Sequence, residues 1–235
     1  MYKRQQVNIY GNHVGSWNFA ATAYLNQWKV KIYYEHYFDD HSQMFFQYGR
    51  WKDGHIGLEI TFPKNRFIDT FVYEGLGTKD QTGPMLYDSF WGEFEEQISA
   101  KDNYYNHYLY QGWQHWGMGI GNPLLPGPIY NKNGQITFIS NRVLAHHIGF
   151  CGSPCQSLSY RMLLSYSRHW GTYDNPLNEI KKQFNSLFEV TYAPQQLKGW
   201  SFTVSGAMDR GSLLGNNYGG MLVIRKQGII KSGNK

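Results

Sequence analysis

Charge is scarce in this sequence. Asp, Glu, Lys and Arg make up 17% of its 235 residues, where an ordinary soluble domain carries roughly 25%. No run of 18 apolar residues occurs, which excludes a transmembrane helix. Lys and Arg never gather beyond pairs such as Lys181-Lys182 and Arg225-Lys226, so a net charge of +5 builds no nucleic-acid surface. Two cysteines are present, Cys151 and Cys155, in Cys-Gly-Ser-Pro-Cys. One thiol pair falls short of the four ligands a structural zinc wants. A local disulfide closing a turn and two free thiols both fit. Serine nucleophile elbows and phosphate loops are missing. So are heptad and collagen repeats. What abounds is aromatic: 19 Tyr, 14 Phe and 8 Trp, with 26 Gly. That density excludes disorder. Mean hydropathy is negative, yet a transmembrane β-barrel needs only alternate residues to be apolar.

The dominant pattern has period two. Trp28, Val30, Ile32, Tyr34, His36 and Phe38 make one phase; Lys29, Lys31, Tyr33, Glu35 and Tyr37 make the other. At ~3.3 Å per residue, residues 28–38 extend ~36 Å, enough for a tilted membrane crossing. The alternation recurs at 158–167, 184–192 and 200–209, and more weakly at 16–26, 54–62, 68–76, 108–116, 142–150 and 218–226. Aromatics fall near the strand ends, as in the girdles of membrane barrels. The expected fold is all-β: an antiparallel up-and-down transmembrane β-barrel, partial, with about 10–11 strands of a larger one. Barrel turns should alternate short and long. With ten strands, the short links 26–27, 63–66, 151–157 and 193–198 are the first, third, sixth and eighth, so one strand between 67 and 142 is missed or false. Lys29, Lys31, Glu35, Glu59, Arg161, Glu189 and Asp209 fall mostly on the polar phase and are expected to face the lumen. Arg168 lies on the lipid phase beside Trp170 and is expected near an interface.

Two segments break the pattern, 77–103 and 117–141; loops this long are usually functional or covering elements. Glu93, Glu95 and Glu96 in the first read as a solvated loop rather than as a glycosidase carboxylate pair. His146 and His147 are adjacent on a strand, so they point to opposite faces and share no ion easily. No metal, cofactor or catalytic residue is expected.

The stretches Asp102-Asn103-Tyr104-Tyr105-Asn106 and Gly112-Trp113-Gln114-His115-Trp116-Gly117-Met118-Gly119-Ile120-Gly121-Asn122-Pro123-Leu124-Leu125 resemble the Bacteroidetes branch of the capsule-assembly Wzi family. So do Asn141-Arg142-Val143, Ala145-His146-His147-Ile148-Gly149, Tyr166-Ser167-Arg168-His169-Trp170-Gly171-Thr172-Tyr173, Gly199-Trp200-Ser201-Phe202 and Ile224-Arg225-Lys226. The resemblance covers roughly 65–230. It implies an outer-membrane barrel of about eighteen strands in a Gram-negative bacterium, binding or anchoring capsular polysaccharide as a lectin rather than an enzyme. Outer-membrane lipid and, during biogenesis, the barrel-assembly machinery are the other partners it implies. Residues 1–5 are set aside as an artefact or unstructured, 6–230 are expected to be the C-terminal part of one barrel, and 231–235 its tail. The missing signal peptide is read as truncation. Outer-membrane barrels usually end on an aromatic residue, whereas this chain ends in Lys235.

Sugars are held by stacking on aromatic faces and by planar amide or guanidinium groups that bond hydroxyls and acids. Tyr104, Tyr105, Asn106, Trp113, His115, Trp116, Tyr130, Asn131 and Arg142 combine these chemistries and are the candidate polysaccharide contacts. A porin or transporter of the same barrel class and a soluble all-β carbohydrate-active enzyme are the alternatives.

Overall fold

The computed structural model describes residues 15–38, 53–65, 67–87, 98–101, 103–106 and 113–228, with the backbone alone for 82–87 and 98–101. In chain order the strands are β1 (Gly15–Leu25), β2 (Trp28–Phe38), β3 (Gly54–Thr61), β4 (Thr70–Gly77), β5 (Thr82–Tyr87), β6 (Ile98–Lys101), β7 (Gln114–His115), β8 (Met118–Gly119), β9 (Val143–Cys155), β10 (Leu158–Gly171), β11 (Pro176–Tyr192), β12 (Trp200–Gly211) and β13 (Asn217–Lys226). A 3₁₀ turn covers Pro128–Tyr130. Nine of the strands form one sheet in the order β1-β2-β3-β4-β9-β10-β11-β12-β13. Each runs antiparallel to the next, an up-and-down meander. The pairs β5–β6 and β7–β8 are separate two-stranded ribbons within the segment that joins β4 to β9.

Among the described residues the main sheet holds nine strands, where ten or eleven were expected. Of the stretch 108–116, the described part 113–116 does not enter the main sheet: Gln114–His115 pairs with Met118–Gly119 instead. Residues 107–112 lie outside the described residues. Trp116 (φ 54) and Gly117 (φ 80) take left-handed backbone, so the chain reverses where an alternating pattern alone would run straight on. With nine strands the parity conflict disappears. Links 26–27, 62–69, 156–157 and 193–199 share one end of the sheet, while 39–53, 78–142, 172–175 and 212–216 share the other.

A second correction falls at Cys-Gly-Ser-Pro-Cys. It is not a turn: β9 runs through Cys155, and a shift in the β9–β10 register absorbs the irregularity. The turn shrinks to Gln156–Ser157. Both cysteines are free thiols.

Directly opposed residues in an antiparallel sheet share a face, so the register sorts the side chains. One row across all nine strands reads Ala21, Ile32, Leu58, Tyr73, Ile148, Leu164, Ser186, Met208, Tyr218. The adjacent row on the other face reads Ala20, Tyr33, Gly57, Glu74, His147, Ser165, Asn185, Asp209, Asn217. The sheet therefore has an apolar and a polar face, as the two phases predicted.

What is unusual is which face is covered. Phe19, Ile32, Ile56, Phe188, Val204 and Leu222 on the apolar face are 51–66% exposed. The buried hydrophobic cluster lies on the opposite side. It joins Leu76, Val143 and Ala145 of the sheet to Tyr105, Leu125 and Phe138 of the β4–β9 segment. A soluble sandwich would bury its apolar phase between two sheets; this sheet turns that phase outward.

Candidate functional site

A cavity of about 1010 Å³ opens between the polar face and the β4–β9 segment. Glu35, His55, Glu74, His147, Ser165 and Asn185 line it from the sheet, with Tyr105, Leu124 and Leu125 from the segment and Leu214 from the β12–β13 link. The side chains of its floor are tied to one another. Gly57 opposes Tyr33, and a Cβ at Gly57 would lie 2.0 Å from the Tyr33 ring. The missing side chain lets Tyr33 lie across the strand and donate its hydroxyl proton to Glu74. His55 stands 3.6 Å from both Glu35 and Glu74. His147 meets the Ser165 hydroxyl at 2.6 Å, and Asn185 donates to Asp209 at 2.6 Å. Lys29 pairs with Glu59 at 3.5 Å and Arg161 with Glu189 at 3.3 Å. All seven charges expected in the lumen stand on this face.

The segment is moored at its two ends by buried polar groups. Thr78 donates to the Asn141 carbonyl (2.6 Å) and accepts from the Val143 N–H (3.0 Å). Gln81 donates its amide to the same carbonyl at 2.8 Å. Asp53, 5% exposed, accepts the backbone N–H groups of Asp80 (2.8 Å) and Gln81 (2.5 Å) and the Tyr104 hydroxyl (3.1 Å). Burial pushes the Asp53 carboxyl above the ordinary carboxylate range, and these three donors pull the other way. Asp53 thus fastens the β2–β3 link to the start of the segment and to Tyr104 in its interior.

The candidate sugar contacts divide sharply. Tyr104 and Tyr105 are buried, and Tyr105 packs 5.0 Å from Phe138 and 6.4 Å from Trp113. Asn106 donates to the Phe138 carbonyl and accepts the Phe138 N–H, both at 2.8 Å. Asn131 donates to the carbonyls of Gln135 and Thr137. Tyr104, Tyr105, Asn106, Trp113 and Asn131 therefore hold the segment together from within. His115, Trp116 and Tyr130 are exposed, Trp116 at 83% and Tyr130 at 60%. The two loops that carry these aromatics are bonded, Ile129 N–H to the Gly117 carbonyl at 2.8 Å. Arg142 sits on the sheet's rim with its guanidinium 3.7 Å over the Tyr173 ring.

Glu93, Glu95 and Glu96 lie outside the described residues. His146 and His147 do point to opposite faces: His146 bonds Tyr73 on the apolar side at 2.8 Å. Among the described residues, no three His, Cys, Asp or Glu side chains gather as a metal site would require. Asp53, Tyr33, Glu74 and His55 were not singled out by sequence. Gly57 within an alternating strand was the available sign, since such a glycine marks a close approach. The chain matches none of the protein-family models, curated proteins or solved structures with which it was compared.

Proposed function

We propose that the nine-stranded sheet is part of the wall of an outer-membrane β-barrel of the Wzi type. In this reading the protein binds or anchors capsular polysaccharide at the cell surface, without catalysing a reaction. One observation carries the membrane part: the apolar face is the exposed one. Water would penalise such a surface, as monomeric soluble proteins rarely expose apolar patches beyond a few hundred Å². Lipid makes it the favourable arrangement.

Edges support a larger barrel. Nine antiparallel strands leave β1 and β13, the two edges among the described residues, running in the same direction. Lipid does not tolerate open edges. A fully antiparallel closure therefore takes an odd number of further strands, and nine more would give the roughly eighteen of the resembled family.

Polysaccharide binding draws its support from the exposed loops of the segment. Trp116 and Tyr130 offer exposed aromatic rings on bonded loops, with His115 beside Trp116 and the Arg142 guanidinium on the sheet's rim. The segment packs over the polar face and fills part of the space a channel would need. The cavity beneath it favours the rival porin or transporter reading, which predicts ion conductance in planar bilayers.

The test is deletion in the capsulated source bacterium, with cell-bound and released polysaccharide measured separately. Loss of surface capsule with undiminished polymer synthesis supports anchoring. Unchanged capsule retention overturns it.

A further inference from the structure

The apolar face is asymmetric in charge. Across its nine strands it carries no Asp or Glu, whereas the polar face carries Glu35, Glu59, Glu74, Glu189 and Asp209. Of the Lys and Arg residues on this face, Arg168, Lys182 and Arg210 stand at the end shared by the longer links, while Lys226, opposite Trp200, stands at the other. Arg168 of β10 and Lys182 of β11 are direct partners. Arg210 of β12 opposes Phe184, two residues from Lys182. Like charges directly opposed across strands destabilise a sheet unless something neutralises them.

Among the described residues, no carboxylate is paired with Arg168, Lys182 or Arg210. Asp174 accepts from Asn103 at 3.1 Å, and Glu179 pairs with Lys181. Arg168 instead lies 5.4 Å from the Trp170 ring centroid, and Lys79 reaches the same ring at 4.7 Å. The result is a basic patch with an aromatic ring, continuous with an apolar surface. An apolar face wants acyl chains; a cationic rim just beyond it wants the anionic groups those chains carry. Arg adds a fork geometry matched to phosphate oxygens.

We infer that Arg168, Lys182 and Arg210, with Lys79 beside Trp170, bind the phosphate groups of a phosphorylated membrane lipid in the leaflet at the long-link end. The site rests on the membrane-barrel reading given above. It adds a lipid ligand that polysaccharide binding does not require. Trp170 sets the depth, since its ring favours the headgroup layer.

The test reconstitutes the intact protein in phosphatidylcholine bilayers with a minor fraction of lipid A, against the same lipid stripped of its phosphates. Bound lipid is measured after exchange, and protease protection reports insertion. The wild type should prefer the phosphorylated form. The triple variant R168Q/K182Q/R210Q should insert normally and lose on the order of 100-fold in binding, about fivefold per charge. R210Q alone should lose about fivefold, which keeps the test usable if the triple variant folds poorly. An inserted wild type with no preference for phosphate overturns this site and leaves the barrel standing. Equal displacement of the lipid by an acidic polysaccharide reassigns the patch and also overturns it. Failure of the wild type to enter bilayers at all removes the barrel reading, and this site with it.

Discussion

Val204 separates lipid from water as the environment of the apolar face. It is 61% exposed and opposes Val190 and Leu222. Along β12, Trp200 and Phe202 lie toward one end of the sheet and Arg210 toward the other, so Val204 stands near mid-height. In water, Lys at so exposed a strand position would change stability by about 0.5 kcal/mol or less. In hydrocarbon near the bilayer midplane the same change costs ~2–4 kcal/mol. That is roughly 30- to 900-fold in the folding equilibrium. Ala207→Lys is the matched control. Ala207 is exposed on the polar face, two residues from Asp209, where the ammonium meets water and a carboxylate. Denaturant unfolding of the intact protein from phospholipid vesicles reads both variants. Val204→Lys should be destabilised by about 2 kcal/mol or more, and Ala207→Lys by less than about 1 kcal/mol. Equal small effects would refute the reasoning, because they would mean that both faces look into the same solvent.

Asp53→Ala leaves two backbone N–H groups and the Tyr104 hydroxyl without their acceptor. It should destabilise the protein by about 2–3 kcal/mol in the same unfolding assay; a loss below about 0.5 kcal/mol would show that the mooring is dispensable. The Asp53 carboxyl is raised in the folded state, so the folded protein holds its proton longer than the unfolded chain does. Stability should therefore fall as pH rises from the ordinary carboxylate value through the raised one, and Asp53→Asn should remove that part of the pH slope; an unchanged slope in the variant would contradict the assignment. Gly57→Val places side-chain atoms where the Tyr33 ring now lies. It should break the Tyr33–Glu74 bond and lower the unfolding midpoint, and an unchanged midpoint would mean that the close approach is incidental. Trp116→Ala should weaken capsular polysaccharide binding without moving stability, since Trp116 is 83% exposed; binding equal to wild type in a direct titration would remove Trp116 from the site.

The alternation of Trp28, Val30 and Ile32 against Lys29, Lys31 and Tyr33 is a local property, and so both strands and faces were legible from sequence. The phase also placed Glu59, Arg161 and Asp209 correctly, because a charge rarely tolerates the apolar side. Strand ends were less legible. β9 continues past Gly152 and Pro154 because a register shift accommodates them, which depends on the neighbouring strand rather than on local preference. The end of the stretch 108–116 departs for the same reason: Trp116 and Gly117 reverse the chain by their backbone conformation, which residue type alone does not announce. Of the candidate contacts, Trp116 and Tyr130 stand exposed, whereas Tyr104 and Tyr105, of the same chemistry, are buried, and Asn106 is spent on Phe138. Sequence reports what a side chain is able to do. Whether its face is open depends on contacts such as Asn106 with Phe138, made 32 residues apart. Asp53 was invisible for the same reason, since its donors lie 27, 28 and 51 residues away.

Spin labels placed one at a time along β10 and β11 test the central claim most directly. Labels at Met162, Leu164, Phe188 and Val190 should collide with dissolved oxygen, which concentrates in lipid. Labels at Leu163, Ser165, Asn185 and Leu187 should collide with a water-soluble nickel complex. In the intact protein folded into bilayers, the two accessibilities should alternate with period two and in opposite phase. If they rise and fall together along both strands, the apolar face is not in lipid, and the account fails.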